Sequence, residues 1–180
     1  DLTRSRGLGD VYKRQVVVLP TGGGKSLCYQ LPPLLSQTTD IVVSPLVSLM
    51  KDQVDALDSI GYPAATIHGG LSPEDRRKTY QKLQNGNLRL LFVAPERLFN
   101  SNLVDTLSQL PIQRFAIDEA HCISQWGHDF RPEYRQLSAL REHFPQASFH
   151  AYTATATPHV RKDIAAVSYT HLTLPTTVRV

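Results

Sequence analysis

Two short clusters about 90 residues apart hold most of the side chains that could do chemistry. The first is Pro20-Thr21-Gly22-Gly23-Gly24-Lys25-Ser26, which follows a β-branched run and precedes a helical pattern. Three glycines let a backbone curl until several N–H groups point at one phosphate, and the helix N-terminus behind them adds its dipole. Thr21, Gly22, Gly23, Gly24, Lys25 and Ser26 are therefore the expected nucleotide-binding residues. Lys25 would reach the β- and γ-phosphates, and the Ser26 hydroxyl would reach Mg²⁺. The strict pattern asks for one more glycine where Leu19 stands, so the strand–turn–helix context carries the assignment. The second cluster, Phe115-Ala116-Ile117-Asp118-Glu119-Ala120-His121, is an apolar strand ending in two acids. Asp118 would hold the metal through water, and Glu119 would orient and deprotonate an attacking water. Phosphoryl transfer needs little beyond such positioning and charge neutralisation. The two clusters together describe a P-loop NTPase using ATP and Mg²⁺, with Lys25, Asp118 and Glu119 as catalytic candidates.

The elements that must position these groups are legible as an alternation. Val16–Leu19, Ile41–Val43, Leu90–Val93 and Phe115–Ile117 are short apolar runs, and Ser148–Tyr152 is a weaker one. Val47, Met50, Val54 and Leu57 mark one face of a helix between them. Ser72-Pro73-Glu74-Asp75 reads as a helix start, with cap, proline and acids in order, and Gly86 suits that helix's exit. Arg131-Pro132-Glu133 opens a helical stretch reaching about His143, and Thr157-Pro158 opens the last one. Strands alternating with helices predict an α/β fold, a mostly parallel sheet with helices on both faces. Continuous rather than alternating apolar strands agree with a sheet covered on both sides. In such a sheet the ligand crevice lies at the strands' carboxyl ends, where both clusters sit.

The bulk properties fit one ordinary domain. The chain has 180 residues, of which 41% are hydrophobic and 19% charged, a globular balance. No apolar run approaches the roughly 18 residues a membrane span needs, and the first residues carry no apolar signal segment, so no membrane role is expected. Two cysteines, Cys28 and Cys122, are too few for a disulfide framework and lack metal-ligand spacing; they read as small buried residues in a reducing compartment. A net charge of +3 is a weak pointer to a polyanionic partner.

The acidic box Asp118-Glu119-Ala120-His121 continues into Cys122-Ile123-Ser124-Gln125-Trp126-Gly127-His128-Asp129-Phe130-Arg131-Pro132-Glu133-Tyr134, which closely resembles the aromatic-rich loop of RecQ-family DNA helicases. Thr21–Gln30 is similar to that family's motif I, Val43–Gln53 to motif Ia, Ala94–Leu98 to motif Ib and Thr153–Ala156 to motif III. The resemblance runs from about Val16 to Ala166. It implies a RecA-like P-loop NTPase domain over residues 16–167, the first lobe of a motor that moves 3′ to 5′ on single-stranded DNA and unwinds duplex DNA. It also implies a place in recombination and repair, in the cytoplasm at a bacterial nucleoid or in a nucleus.

The resemblance further implies a set of DNA-contacting and coupling residues: Ser44, Arg97, His121, Gln125, Trp126, Phe130, Arg131, Thr153 and Thr155. Trp126 and Phe130 could stack on bases, at about 1–3 kcal/mol per base irrespective of sequence, or could be core residues beneath the loop. Arg131 could add a phosphate or cation–π contact. Ser44 and nearby backbone amides would face DNA phosphates, with Lys51 either a weaker contact or part of a solvated helix face. Arg97 would meet a phosphate or pair with Glu96. Thr153 and Thr155 would link the ATP site to the DNA groove or simply cap a strand end. His121 would bridge the nucleotide site to motif III or to a second lobe. His68 and His150 read as ordinary structure.

The chain also departs from the family. The glutamine-bearing adenine-reading motif expected about 25 residues ahead of the phosphate loop is not in the sequence. Asp1–Gln15 and Ser168–Val180 resemble no part of the family; they look like translated adapter sequence and are expected to pack poorly. The second RecA-like lobe, with its arginine finger, is also expected elsewhere in the parent chain, so this lobe alone should bind nucleotide weakly and hydrolyse it negligibly. Two alternatives to a DNA helicase remain: an RNA helicase of the DEAD/DEAH type, and a non-enzymatic nucleic-acid-binding module that uses ATP as a switch.

Overall fold

The computed structural model describes residues 14–99, 102–127 and 129–168. Six strands, β1 (Arg14–Val18), β2 (Asp40–Val43), β3 (Ala64–Ile67), β4 (Leu90–Val93), β5 (Arg114–Ile117) and β6 (Ser148–Thr153), form one sheet in the order β1-β6-β5-β2-β4-β3. Every neighbouring pair is parallel. The α/β fold expected from the alternation is thus present, and its sheet is parallel throughout the described residues. β3 has no counterpart among the apolar runs of the sequence, because Ala64 and Thr66 are only half-buried and dilute its pattern. β1 begins at Arg14, so Arg14 and Gln15, assigned to the leading tail, pair with Phe149 and His150 of β6. The remaining tail residues, Asp1–Lys13 and Tyr169–Val180, lie outside the described residues.

The helices are α1 (Lys25–Ser36), α2 (Val47–Ser59), α3 (Pro73–Gln84), α4 (Pro95–Phe99), α5 (Leu103–Ser108), α6 (Leu140–His143) and α7 (Pro158–Ser168). They cover both faces of the sheet, so alternate residues of one strand enter different cores. Val42, Leu90, Phe92 and Ala116 pack with Tyr29 of α1 and with Met50 and Leu57 of α2. Ile41, Val43, Leu91, Val93, Phe115 and Ile117 pack the other way, against α3, α4, α5 and α7. Val47 and Val54 complete the face of α2 read from the sequence. Ser72 caps α3 by accepting from the Asp75 N–H at 3.1 Å, and Gly86 leaves that helix at a φ of 69°.

One helix winds differently from expectation. Pro132–Ala139 is a 3₁₀ run that passes into the short α6. Its buried residues, Tyr134, Leu137 and Leu140, recur every third position. Three residues per turn stacks them directly in line, whereas an α-helical winding would spread them over about 120°.

Candidate nucleotide and nucleic-acid site

The phosphate loop owes its shape to glycine. Gly22 and Gly24 have φ of 78° and 81°, and a Cβ on Gly23 would lie 2.9 Å from the Pro20 carbonyl oxygen. Gly24 caps α1, so the loop runs directly into the helix N-terminus, whose dipole favours an anion. Lys25 donates from Nζ to the carbonyls of Leu19 (3.0 Å) and Pro20 (3.3 Å), folding the ammonium back over its own loop. The loop is also pinned to β6, since the Leu19 N–H donates to the Thr153 carbonyl at 3.1 Å.

β6 alone separates β1 from β5, so the loop and the acidic pair lie at the same end of the sheet. Asp118, 4% exposed, stands at the tip of β5. Burial, reinforced by the neighbouring Glu119 charge, pushes its carboxyl up to about 6. The Lys25 and His121 charges pull the other way, which places Lys25 within electrostatic reach of Asp118. A buried carboxyl so penalised calls for a cation. Among the described residues no three His, Cys, Asp or Glu side chains converge as a metal cage. Mg²⁺ asks for only one or two protein oxygens and takes its remaining ligands from phosphates and water, a demand that the buried Asp118 carboxyl at the strand tip can meet. Asp118 and Ser26 would supply the protein's share.

Glu119 has a φ of 48°, the left-handed region, a conformation that costs a non-glycine residue about 1–3 kcal/mol. Its surroundings hold it there. The Asp118 N–H donates to the Val43 carbonyl, the Cys122 N–H donates to the Glu119 carbonyl, and the buried Tyr134 hydroxyl donates to the Asp118 carbonyl at 3.0 Å. His121 Nδ1 lies 3.2 Å from Glu119 Oε2 and 3.1 Å from Thr153 Oγ1. Thr153 gives its own proton to the Thr155 carbonyl (2.9 Å), so the Thr153 oxygen accepts and His121 Nδ1 carries the hydrogen. His121 thus joins the second acid to Thr153 at the end of β6.

The remaining candidates fall into two groups. Along the crest of the sheet, the Asp118 N–H bonds Val43, the Ser44 N–H bonds Val93 and the Ala94 N–H bonds Ile67. Asp118, Ser44 and Ala94 therefore stand side by side at the tips of β5, β2 and β4, about 4.8 Å apart per strand. Ser44 is fully buried and its Oγ has no hydrogen-bond partner among the described residues; Arg97, half-buried on α4, lies three residues after Ala94. Directly after the acidic pair on that crest, the aromatic loop leaves the 3₁₀ turn Ala120–Ile123. Trp126 is 79% exposed and Gln125 is exposed, whereas Phe130 is half-buried beneath the Arg135 guanidinium, 5.4 Å from its ring centroid. Arg131 is already engaged, with Asp129 at 3.3 Å and the Pro45 carbonyl at 3.2 Å, tying the loop to the segment after β2. Thr155 is exposed and Lys51 lies on the solvated face of α2.

Other expectations need amendment. Cys122 is buried, but Cys28 is exposed, because α1 turns only Tyr29 and Pro33 fully inward. His68 is buried, with Nδ1 accepting from the Gly70 N–H. Tyr134, which supports the Asp118 backbone, has no role legible from residue type alone; three-residue spacing of apolar side chains after Pro132 is the available signal.

Residues 7–164 match the family model for DEAD/DEAH box helicases. The chain is 47% identical over 152 residues to the ATP-dependent DNA helicase RecQ of Pasteurella multocida, covering 84% of this chain and 24% of that protein. The Bacillus subtilis RecQ is 49% identical over 148 residues, 82% of this chain and 25% of the relative. The chain therefore spans about a quarter of the length of these relatives. Among solved structures, the DNA-bound helicase MrfA superposes with a TM-score of 0.65 at 21% identity, over 85% of this chain and 24% of that one. The Pyrococcus furiosus Hef helicase domain gives 0.63 at 20%, over 86% and 33%. At such identities these two matches speak for a shared RecA-like fold.

Proposed function

This chain belongs to the DEAD/DEAH box helicase family, on its RecQ side, and from that membership we propose that it is the nucleotide-gripping first lobe of an ATP-dependent DNA helicase moving 3′ to 5′ on single-stranded DNA. One observation carries the reading: a buried acid at the tip of β5 stands at the same end of the sheet as the phosphate-loop lysine, and the second acid is tied through His121 to Thr153. Bound Mg²⁺ would neutralise phosphate charge during the transfer. The chain's own residues would do the rest. The N–H groups of Gly22, Gly24 and Lys25 would hold the phosphates, while the Gly23 N–H closes the loop on the Pro20 carbonyl, and Lys25 would exchange its loop carbonyls for the β- and γ-oxygens. Asp118 and Ser26 would ligate the ion. Glu119 would accept a proton from the attacking water, held in aim by His121.

The nucleic-acid strand would lie along the tips of β2 and β4, touching Arg97, and would meet Gln125 and Trp126 at the aromatic loop; Ser44, expected as a contact, is fully buried and would support the crest from beneath. Phe130 and Arg131, engaged within the loop, would shape it until the strand arrives. Thr153 and Thr155 would relay movement between the two sites. The opposite wall of the ATP cleft, with an arginine finger worth about 10³–10⁵ in rate, would come from a second RecA-like lobe of the parent chain. This lobe alone would bind Mg·ATP weakly and turn it over negligibly.

The test is ATP hydrolysis by the full-length protein with and without single-stranded DNA, duplex DNA and RNA, together with strand displacement. Stimulation by single-stranded DNA, abolished by Glu119→Gln, is expected. Stimulation by RNA alone would make it an RNA helicase, and nucleotide binding without turnover would make it a switch.

A further inference from the structure

Ser124 closes the 3₁₀ turn that begins at the acidic box, and although fully buried it makes two polar contacts that bear on Trp126. Its Oγ accepts from the Trp126 N–H at 3.1 Å. The same hydroxyl donates to Asp163 Oδ2 at 2.6 Å, on α7. A hydroxyl has one proton to give. Committing it to a carboxylate fixes the rotor and leaves a lone pair for the tryptophan N–H, and each bond polarises the other. One turn earlier on the same face of α7, the His159 ring stands 6.3 Å from the indole, tilted by 38°.

α7 is a firm anchor. Val160 and Ile164, 3% and 0% exposed, pack into the core shared with Ala120 and Ile123. The helix starts five residues after Thr153, which already meets His121. The acidic-box turn is therefore tied twice to the segment formed by β6 and α7, once at His121–Thr153 and once at Ser124–Asp163. The first tie holds the water-activating acid and the second holds the exposed indole.

We propose that Asp163 is a positioning residue: through Ser124 it sets the stance in which Trp126 is offered to a nucleic-acid base. The inference rests on the proposed DNA-binding reading of the loop. Trp126 is the single tryptophan of the chain, so intrinsic fluorescence reports on that ring alone. In the 180-residue chain, Asp163→Ala lowers Trp126 anisotropy and raises its accessibility to acrylamide. It weakens binding of oligo-dT, read by tryptophan quenching, at least about fivefold, the lower end of what one stacked base supplies. Asp163→Asn keeps an acceptor without the charge and restores both readings to within about twofold. Ser124→Ala removes the bond from the other side and reproduces the Asp163→Ala effect, and the double variant is no worse than either single one.

Wild-type anisotropy in both alanine variants would overturn the proposal whatever the oligonucleotide did, as would failure of Asp163→Asn to restore it. Reduced anisotropy in those variants, with no response of the wild-type chain to oligo-dT, would keep the tie between Asp163 and the ring while overturning the nucleic-acid reading beneath it.

Discussion

Replacing Tyr134 by phenylalanine removes one oxygen atom from the molecule and tests how the acidic box is held. Tyr134 is fully buried, and its hydroxyl donates at 3.0 Å to the backbone carbonyl of Asp118, one bond away from the left-handed Glu119. The ring would remain and leave no cavity of consequence, so the effect isolates the hydrogen bond. A buried carbonyl stripped of its donor costs about 1–3 kcal/mol. For a chain of this size each kcal/mol lowers Tm by about 2–4 °C, so a drop of roughly 2–12 °C is expected in a thermal melt. Because the lost bond braces the strained peptide, the substitution also weakens Mg·ATP binding while leaving the phosphate loop untouched. A Tm within about 1 °C of wild type, below the smallest shift that range allows, would refute this account of how Glu119 is kept in place.

Other substitutions report on the buried charges. Asp118→Asn stabilises the ligand-free chain near pH 7.5 by about 1–3 kcal/mol, since burial that lifts the carboxyl to about 6 acts against its ionised form; in a pH series of melts the gain fades as the pH falls through about 6 toward 3.8, where the native carboxyl is protonated anyway. Arg114→Ala leaves Asp40, whose side chain is 4% exposed, without its ion-pair partner and costs about 3 kcal/mol in urea denaturation. Burial, with the Arg114 charge second, holds His150 below its usual 6.5, so stability is full above pH 6.5 and is lost as acid protonates the unfolded chain in preference to the folded one. His150→Asn should flatten that acid limb of the Tm–pH curve; an unchanged limb would assign it to other groups.

The parts of the fold that could be read from sequence were those with a strong local period or a strong local constraint. β2, β4 and β5 are buried on both faces, so their apolar runs are unbroken, and the face of α2 repeats at helical spacing. The phosphate loop was legible because only glycine tolerates its turns, and the acidic box because two carboxylates at a strand tip are costly without a cation. What stayed hidden depends on tertiary partners. β3 escaped because edge position leaves it half-buried, and the 3₁₀ winding after Pro132 is selected by the core that Tyr134, Leu137 and Leu140 share. The link from Ser124 to Asp163 spans 39 positions and has no local signature. Phe130 and Arg131 are recognisable as loop residues, yet their engagement with Arg135, Asp129 and the Pro45 carbonyl emerges only from the folded chain.

Lys25 and Asp118 are proposed to serve one bound Mg·ATP. Isothermal titration of the chain with a non-hydrolysable ATP analogue, with and without Mg²⁺, tests this most directly. Magnesium-dependent binding is predicted for the wild type, with loss of that dependence in Asp118→Asn and loss of phosphate affinity in Lys25→Ala. Wild-type binding by both variants, unaffected by chelation of the metal, would contradict it.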